Sequence, residues 1–114
     1  MKYHLVSGAC GFVGRNLVKR ILKSNNDRII IVDNLSTGKR SNLNNNATFY
    51  EVDICDREKI DKVFLREKPE IVFHAAAYKH VPMMENNPSE AVLTNVFGTR
   101  NLVDLACEFN IDKF

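Results

Sequence analysis

Short continuous apolar runs alternate along the chain with longer stretches in which apolar residues recur every three or four positions. The short runs are typical of buried strands, and the periodic stretches are typical of amphipathic helices. The pattern predicts strands over residues 3–7, 28–33, 47–52 and 71–74, and helices over 12–23, from Asp56 to Glu67 and from Pro88 to about Phe109. Strands that alternate with helices predict an α/β fold with a parallel sheet and right-handed crossovers. Four such strands are slightly more than half of a Rossmann-type doubly wound sheet, so we expect its N-terminal portion.

Residues at the ends of the predicted helices support these limits. Asp56 can cap the second helix, and Pro69 ends it. Asn87 can cap the last helix, with Pro88 at its first position and Glu90 three residues after the cap. The predicted apolar stripes are Val13, Leu17, Val18, Ile21 and Leu22 on the first helix, Ile60, Val63 and Phe64 on the second, and Val92, Val96, Val103 and Ala106 on the last.

Composition and charge narrow the class of protein. The chain has 114 residues, 45% of them hydrophobic and 26% charged, which is the ordinary balance of one soluble globular domain. The net charge of +2, without a Lys/Arg block longer than two residues, gives no reason to expect nucleic-acid or membrane binding. Three cysteines without a CxxC pattern indicate reduced thiols in a cytoplasmic protein. His74 and His80 lack further ligands at metal-binding spacing, so we expect no metal site.

The most informative motif is a glycine turn followed by an acid. Gly8, Gly11 and Gly14 come directly after the first predicted strand and open the first helix, and Asp33 ends the second strand nineteen residues later. In a βαβ unit such glycines let the backbone approach a pyrophosphate at the helix N-terminus, and the acid binds the adenosine ribose. Cys10 lies in this turn; the helix terminus can lower a thiol pKa there, but we interpret the residue as a small space-filler.

Five motifs in order resemble one family, the extended short-chain dehydrogenase/reductases that act on nucleotide sugars. Ser7–Gly14 resembles the family's TGxxGxxG turn, and Asp33–Gly38 is similar to the corresponding segment of UDP-hexose 4-epimerases. Asp53-Ile54 resembles the pair that meets the adenine. His74–Ala77 and Thr94–Asn101 complete the pattern, which covers essentially the whole chain.

A sixth segment points to one branch of that family. Ala77–Glu85 followed by Asn87-Pro88 resembles the polysaccharide-biosynthesis proteins that act as UDP-N-acetylglucosamine 4,6-dehydratases. The Asp33 segment favours the epimerases instead. The resemblance therefore implies a UDP-sugar substrate for the whole enzyme and leaves epimerase and dehydratase both open.

The motifs together define an expected cofactor site. An acid at Asp33 repels a ribose phosphate, so we expect NAD rather than NADP, although Lys39 and Arg40 are close enough in sequence to soften the preference. Lys79 is expected to reach the cofactor or the sugar diphosphate, and Asn95, a poor helix former, to face the site. The expected cofactor-binding residues are Gly8, Gly11, Phe12, Val13, Gly14, Asp33, Asn34, Ser36, Thr37, Gly38, Asp53, Ile54, Ala75, Ala76, Ala77, Lys79 and Asn95.

The resemblance also implies a catalytic Tyr-x-x-x-Lys pair, which these 114 residues lack. The residues four positions after Tyr3, Tyr50 and Tyr78 are Ser7, Ile54 and Pro82. We therefore expect residues 1–114 to be the NAD(P)-binding part of a longer enzyme, without the substrate domain and inactive alone. Two alternatives are a non-catalytic dinucleotide-binding or sensor module and another NAD(P)-dependent short-chain reductase. The last helix resembles the one that forms the family's dimer bundle, so we expect a homodimer.

Overall fold

The computed structural model describes residues 1–24, 26–36, 38–76 and 88–114. Of the residues singled out above, Thr37, Ala77, Lys79, His80 and Asn87 lie outside these ranges. The strands are β1 (Tyr3–Ser7), β2 (Arg28–Asp33), β3 (Thr48–Glu51) and β4 (Ile71–His74). The helices are α1 (Phe12–Ser24), α2 (Arg57–Glu67), α3 (Pro88–Val92) and α4 (Thr99–Glu108), with a 3₁₀ turn at Arg40–Asn42 and a π-helical turn at Leu93–Gly98 that joins α3 to α4.

The four strands form one parallel sheet in the order β3-β2-β1-β4. Val6 of β1 is paired with Ile31 of β2 on one side and with Phe73 of β4 on the other. The chain therefore builds outward from β1 through β2 to β3 and then crosses to the opposite side of β1. This reversal of direction confirms the predicted Rossmann-type fold class, and it places the crevice of such folds at the carboxyl end of β1.

Helices cover both faces of the sheet. On one face, Phe64 of α2 and Leu102 and Leu105 of α4 are fully buried against strand residues that include Leu5 and Ile30. On the other face, Val18 and Ile21 of α1 pack against Val6, Ile29 and Ile31. Strands that are buried on both faces read as continuous apolar runs, which explains why β1 and β2 begin and end where the sequence predicted.

The ends of α2 also agree with the prediction. The carboxylate of Asp56 accepts a hydrogen bond from the backbone N–H of Lys59 at 3.2 Å, so Asp56 is the N-cap. The helix closes at Lys68, which has a left-handed φ of 47° and precedes Pro69.

Two predicted helical stripes were wrong in part. Val13 is 54% exposed because it lies in the first turn of α1, although Val18 and Ile21 of the same stripe are buried. On the last helical stretch, Val92, Val96 and Val103 are exposed, and the buried residues are instead Gly98, Leu102 and Leu105. A π-helical turn has more residues per turn than an α-helix, so a 3.6-residue period drawn through Leu93–Gly98 assigns the wrong face.

We predict that Phe64→Ala strongly destabilises the fold. Phe64 is fully buried between α2 and the sheet, and removal of such a ring typically costs about 3–5 kcal/mol through lost burial and the cavity left behind. Leu65 is the matched control, because it is 54% exposed on the same helix. Urea unfolding followed by circular dichroism should show a large loss for Phe64→Ala and a change within about 0.5 kcal/mol for Leu65→Ala. Equal losses in the two variants would contradict this assignment of the core.

Candidate dinucleotide-binding site

The turn between β1 and α1 is closed by two tightly packed glycines. Gly8 has φ 72°, and a Cβ there would lie 2.7 Å from the backbone oxygen of Ala75. A Cβ on Gly14 would lie 2.6 Å from the Cα of Ala9. Backbone contacts at both positions leave no room for a side chain. These two glycines are therefore required by the fold itself.

Gly11 differs from the other two glycines. A Cβ at Gly11 would meet only the backbone oxygen of Gly8, at 3.3 Å. Its N–H donates to that same oxygen at 3.1 Å, and its carbonyl accepts from the N–H of Arg15 at 3.0 Å, so the turn runs directly into α1. The protein's own packing is therefore tight but much less restrictive at Gly11 than at Gly8 and Gly14, and this is where a ligand can approach the backbone closely.

Asp33 ends β2 beside the glycine turn and is held there by two backbone groups. Only 8% of the residue is exposed. Its Oδ2 accepts from the N–H of Cys10 at 2.9 Å, and its Oδ1 accepts from the N–H of Leu35 at 2.7 Å. An ionised carboxylate has about four acceptor positions, and the two backbone N–H groups together with the Cys10 thiol use three of them, which leaves capacity for a further donor. The predicted acid is thus fixed in orientation and still able to accept hydrogen bonds from a ligand.

The loop after β2 packs on the glycine turn through Cys10. A Cβ on Gly38 would lie 2.7 Å from the Cβ of Cys10, so Gly38 is small because of protein packing. The carbonyl of Cys10 accepts from Asn42 Nδ2 at 2.8 Å and from the N–H of Lys39 at 3.3 Å. Asn42 was not predicted to support the site, because in the sequence it is only a polar residue in a loop rich in turn formers.

The two basic residues of this loop, Lys39 and Arg40, differ in the contacts that their side chains make. The guanidinium of Arg40 pairs with Glu51 at the edge strand at 2.5 Å and lies over the ring of Phe49, 5.6 Å from its centroid. Lys39 is exposed. Arg40 is thus held against β3, although its charge still acts on the Cys10 thiol of the turn, where it opposes the rise in pKa.

Cys10 is a buried thiol with little nucleophilic character. Burial, together with the neighbouring Asp33 carboxylate, raises the pKa of Cys10 from its usual 9.0 to about 11. The thiol is fully buried. The interpretation of Cys10 as a space-filling residue agrees with this direction, and the alternative of a pKa lowered by the helix terminus does not.

Asp53 and Ile54 follow β3 and contact the π-helical turn. Asp53 is exposed and accepts the N–H of Cys55 at 2.9 Å, while the side chain of Ile54 is buried where a Cβ on Gly98 would meet it at 2.7 Å. Asn101 Nδ2 donates to the carbonyl of Ile54 at 2.8 Å. These contacts bring the exit of β3 to the turn that carries Asn95. That turn is of a type frequent at functional sites.

The exit of β4 is held by a chain of polar side chains. Ser7 Oγ lies 2.7 Å from His74 Nδ1, and His74 Nε2 lies 2.8 Å from Thr99 Oγ1. The backbone N–H groups of Ala75 and Ala76 both reach Ser7 Oγ, at 3.1 and 3.3 Å. His74 is therefore a histidine with structural partners on both ring nitrogens. In the described parts of the chain, no group of three His, Cys, Asp or Glu side chains is placed to hold a metal ion.

The predicted cofactor residues thus gather at one edge of the sheet. Those around the carboxyl end of β1 lie together: the glycine turn, Asp33, and Ala75-Ala76 over Gly8. Phe12 and Val13 are exposed at the start of α1, and Asn34 and Ser36 are exposed just after β2. Asp53, Ile54 and Asn95 form a second group beyond β2, at the exit of β3 and in the π-helical turn.

This parallel sheet and its glycine turn define a Rossmann-type domain. The profile of the polysaccharide biosynthesis protein family matches residues 4–114, and the chain belongs to that family. The dTDP-glucose 4,6-dehydratase of Neisseria meningitidis is 37% identical over 112 residues, 93% of this chain and 32% of the relative. In the part of the structure described, no helix has the length and apolar character needed to cross a membrane.

Solved structures agree with this assignment. The UDP-glucose 4-epimerase of Thermotoga maritima with UDP-glucose is 38% identical, with a TM-score of 0.92 over 96% of this chain and 35% of its own. The Thermus thermophilus UDP-glucose 4-epimerase in complex with NAD is 30% identical, with a TM-score of 0.91 over 96% of this chain and 35% of its own. This chain spans about a third of the length of the curated relatives it matches.

We predict that Cys10 resists alkylation in the folded protein. A pKa of about 11 leaves about 100-fold less thiolate at pH 8 than a pKa of 9.0, and the thiolate is the reactive form. Cys107 is the internal control because it is exposed. Iodoacetamide at pH 8 followed by peptide mass spectrometry should modify Cys107 first and Cys10 only after denaturation. Labelling of both at similar rates in the native protein would show that the turn is open.

Proposed function

We propose that this chain is the cofactor-binding part of an NAD-dependent nucleotide-sugar epimerase or 4,6-dehydratase of polysaccharide biosynthesis. The observation that carries the proposal is the fixed position of Asp33, a buried carboxylate that two backbone N–H groups hold against the glycine turn. The two N–H donors offset the cost of burying the charge, and the acceptor capacity that they leave is what a bound ribose would use.

Each part of the site has a role in this proposal. The remaining acceptor capacity of Asp33 binds the ribose hydroxyls of the adenosine, and the N-terminal N–H groups of α1 face the pyrophosphate, which passes over Gly11. Asp53 and the backbone of Ile54 lie on the β3 side, where the adenine would rest. When bound, NAD supplies the hydride acceptor for oxidation of a sugar hydroxyl.

The substrate class and the reaction are inferred from the relatives. They include an epimerase crystallised with UDP-glucose and a dTDP-glucose 4,6-dehydratase, and each is about three times as long as this chain. Since none of the three tyrosines of this chain has a lysine four residues later, we place the acid–base groups outside these 114 residues. The chain thus contributes cofactor binding to the whole enzyme and is expected to have no turnover alone.

We predict that Asp33 sets the preference for NAD over NADP. Asp33→Asn loses the charge and one of the two oxygens that accept from Cys10 and Leu35, so NAD affinity should fall about tenfold or more while the penalty against NADP shrinks. Glu58→Gln is the control, since it removes the same charge from the exposed start of α2. Calorimetric titration of the wild-type chain should give tighter binding of NAD than of NADP. Equal or tighter NADP binding by the wild-type chain would refute the role of Asp33.

Gly11 gives a second prediction, which separates cofactor binding from folding. Gly11→Val should retain most of the fold, because the added Cβ meets one backbone oxygen at 3.3 Å and needs a shift of only a few tenths of an ångström, but it should block the pyrophosphate. Gly14→Ala is the contrasting variant and should destabilise the fold, since its Cβ would meet the backbone of Ala9. Circular dichroism and NAD titration measure the two effects. A folded Gly11→Val protein that binds NAD as well as the wild type would exclude this loop as the pyrophosphate site.

We further propose that the whole protein is a homodimer through the outward face of α3, the π-helical turn and α4. Val92, Leu93, Val96, Phe97 and Val103 are between 40% and 55% exposed along this stretch. A contiguous apolar face of this kind on a soluble domain commonly marks an interaction surface.

We predict that the chain self-associates through this face. Sedimentation equilibrium should show dimers or larger species for the wild type, and Val96→Asp should shift the population towards monomer because it places a charge in the centre of the face. Leu65→Asp is the matched control at an equally exposed apolar residue of α2. A monomeric wild type at high concentration, or equal effects of the two substitutions, would contradict the proposed interface.

A further inference from the structure

The Ser7, His74 and Thr99 side chains can be assigned protons by counting donors and acceptors. The hydroxyl of Ser7 has one proton and two lone pairs. The N–H groups of Ala75 and Ala76 reach Ser7 Oγ, at 3.1 and 3.3 Å, and face its lone pairs, with the Ala75 N–H shared between this oxygen and the Ser7 carbonyl, also at 3.1 Å. The single Ser7 proton is then donated to His74 Nδ1, 2.7 Å away.

This count fixes the state of the imidazole. Because Nδ1 accepts a hydrogen bond, it carries no proton, so the ring is neutral and its proton is on Nε2. That N–H donates to Thr99 Oγ1 at 2.8 Å. A doubly protonated ring would present a second N–H to a hydroxyl whose lone pairs are already used. Burial lowers the pKa of His74 below its usual 6.5, in the same direction.

The chain of hydrogen bonds joins three elements where the cofactor crosses the sheet. Ser7 ends β1, His74 ends β4 and Thr99 begins α4. The Ala75-Ala76 backbone that Ser7 holds lies directly over Gly8, since a Cβ there would meet Ala75 O and Ala76 N at 2.7 Å. Asp33 and Asp53 lie on the other side of β1. The adenosine half of a dinucleotide is therefore remote from the Ser7–His74–Thr99 hydrogen bonds, and the nicotinamide half passes beside them.

We propose that His74 is a positioning residue, which as the neutral Nε2–H imidazole links Thr99 to Ser7 and thereby holds Ala75-Ala76 where the nicotinamide half of the cofactor leaves β1. This inference rests on the proposed function of the site. A positioning role differs from a general structural role in one measurable respect. Loss of the Ser7–His74–Thr99 hydrogen bonds should weaken binding of the whole dinucleotide more than binding of its adenosine half.

The decisive pair of variants is Thr99→Val and Thr99→Ser. Valine has nearly the shape of threonine but cannot accept the Nε2 proton, whereas serine keeps the hydroxyl. For Thr99→Val we expect the Kd of NAD to rise about fivefold or more, the effect of one lost hydrogen bond, with the Kd of AMP changed less than about twofold. Thr99→Ser should restore most of the NAD affinity. His74→Phe, which keeps a ring but loses both bonds, should behave like Thr99→Val.

Two measurements without ligand test the same hydrogen bonds. Long-range ¹H–¹⁵N NMR at pH 7.5 should show His74 with an unprotonated Nδ1 and a protonated Nε2, and its titration midpoint should lie below 6.5. The groups that face the ring in the described structure are Ser7, Thr99 and the ring of Phe114, none of them charged at neutral pH. Amide exchange at Ala75 and Ala76 should be faster in Thr99→Val than in Thr99→Ser.

Each result supports or overturns the inference. Equal weakening of NAD binding and AMP binding by Thr99→Val would show a general structural role. Unchanged binding of both ligands would show that these hydrogen bonds do not position the cofactor site. A protonated Nδ1 at pH 7.5 would overturn the hydrogen-bond assignment. If the wild-type protein binds neither NAD nor AMP, the result contradicts the proposed function. The NMR and exchange results then still decide whether the Ser7–His74–Thr99 hydrogen bonds hold Ala75-Ala76.

Discussion

The structure depends on the parallel pairing of β1 with a strand on each side. β1 is bonded to β2 over five residue pairs and to β4 over four, so backbone from three strands converges at its carboxyl end. The glycine turn must leave β1 within the space between the ends of β2 and β4. The N–H of Gly8, the first residue of the turn, donates to the carbonyl of Val32 at 2.9 Å. The Cα of Gly8 lies against the backbone of Ala75. The absence of side chains at Gly8 and Gly14 follows from that crowding.

The same crowding explains why polar side chains are buried here. Backbone N–H groups that leave the ladder at the strand ends need acceptors, because a buried unpaired N–H costs free energy. Asp33 meets this need for Cys10 and Leu35, and Ser7 meets it for Ala75 and Ala76. The side chains that stabilise the exits of β2 and β4 are therefore the ones beside the proposed cofactor. Site and fold share them, so a substitution there affects both; Asp33→Asn, for example, removes the charge and also one of the two oxygens that accept from Cys10 and Leu35.

The sequence predicted the elements that obey one local rule. β1, β2 and β4 were predicted to the residue because runs flanked by turn residues mark their limits, and α2 because a cap and a proline mark its ends. β3 is shorter than predicted, Thr48–Glu51 rather than residues 47–52, as is usual for weakly apolar edge strands. The outward face of Val92, Val96 and Val103 required knowledge of the π-helical turn, which has no signature in the residue pattern.

Within the site, the sequence predicted residue positions better than residue roles. The spacing placed Asp33 beside the glycine turn, but it could not show that its carboxylate already holds Cys10 and Leu35. Gly38 was predicted to bind cofactor, whereas its packing against Cys10 is enough to require glycine. Apart from the local Asp33–Leu35 bond, such roles depend on contacts between residues that are far apart in sequence, 23 positions for Asp33 and Cys10, and a single sequence does not encode these in its periodicity.

The expected selectivity for NAD follows from where the charges of the β2–β3 connection are directed. A ribose phosphate would need a cation close to Asp33 to offset the carboxylate. Arg40 is paired with Glu51 and stacked on Phe49, so moving it to the ribose would break both contacts. That leaves exposed Lys39, whose N–H is tied to Cys10 but whose charge is screened by solvent. The nearly buried carboxylate of Asp33 is screened far less. Its repulsion of a ribose phosphate therefore outweighs the attraction from Lys39, which favours a ribose with free hydroxyls.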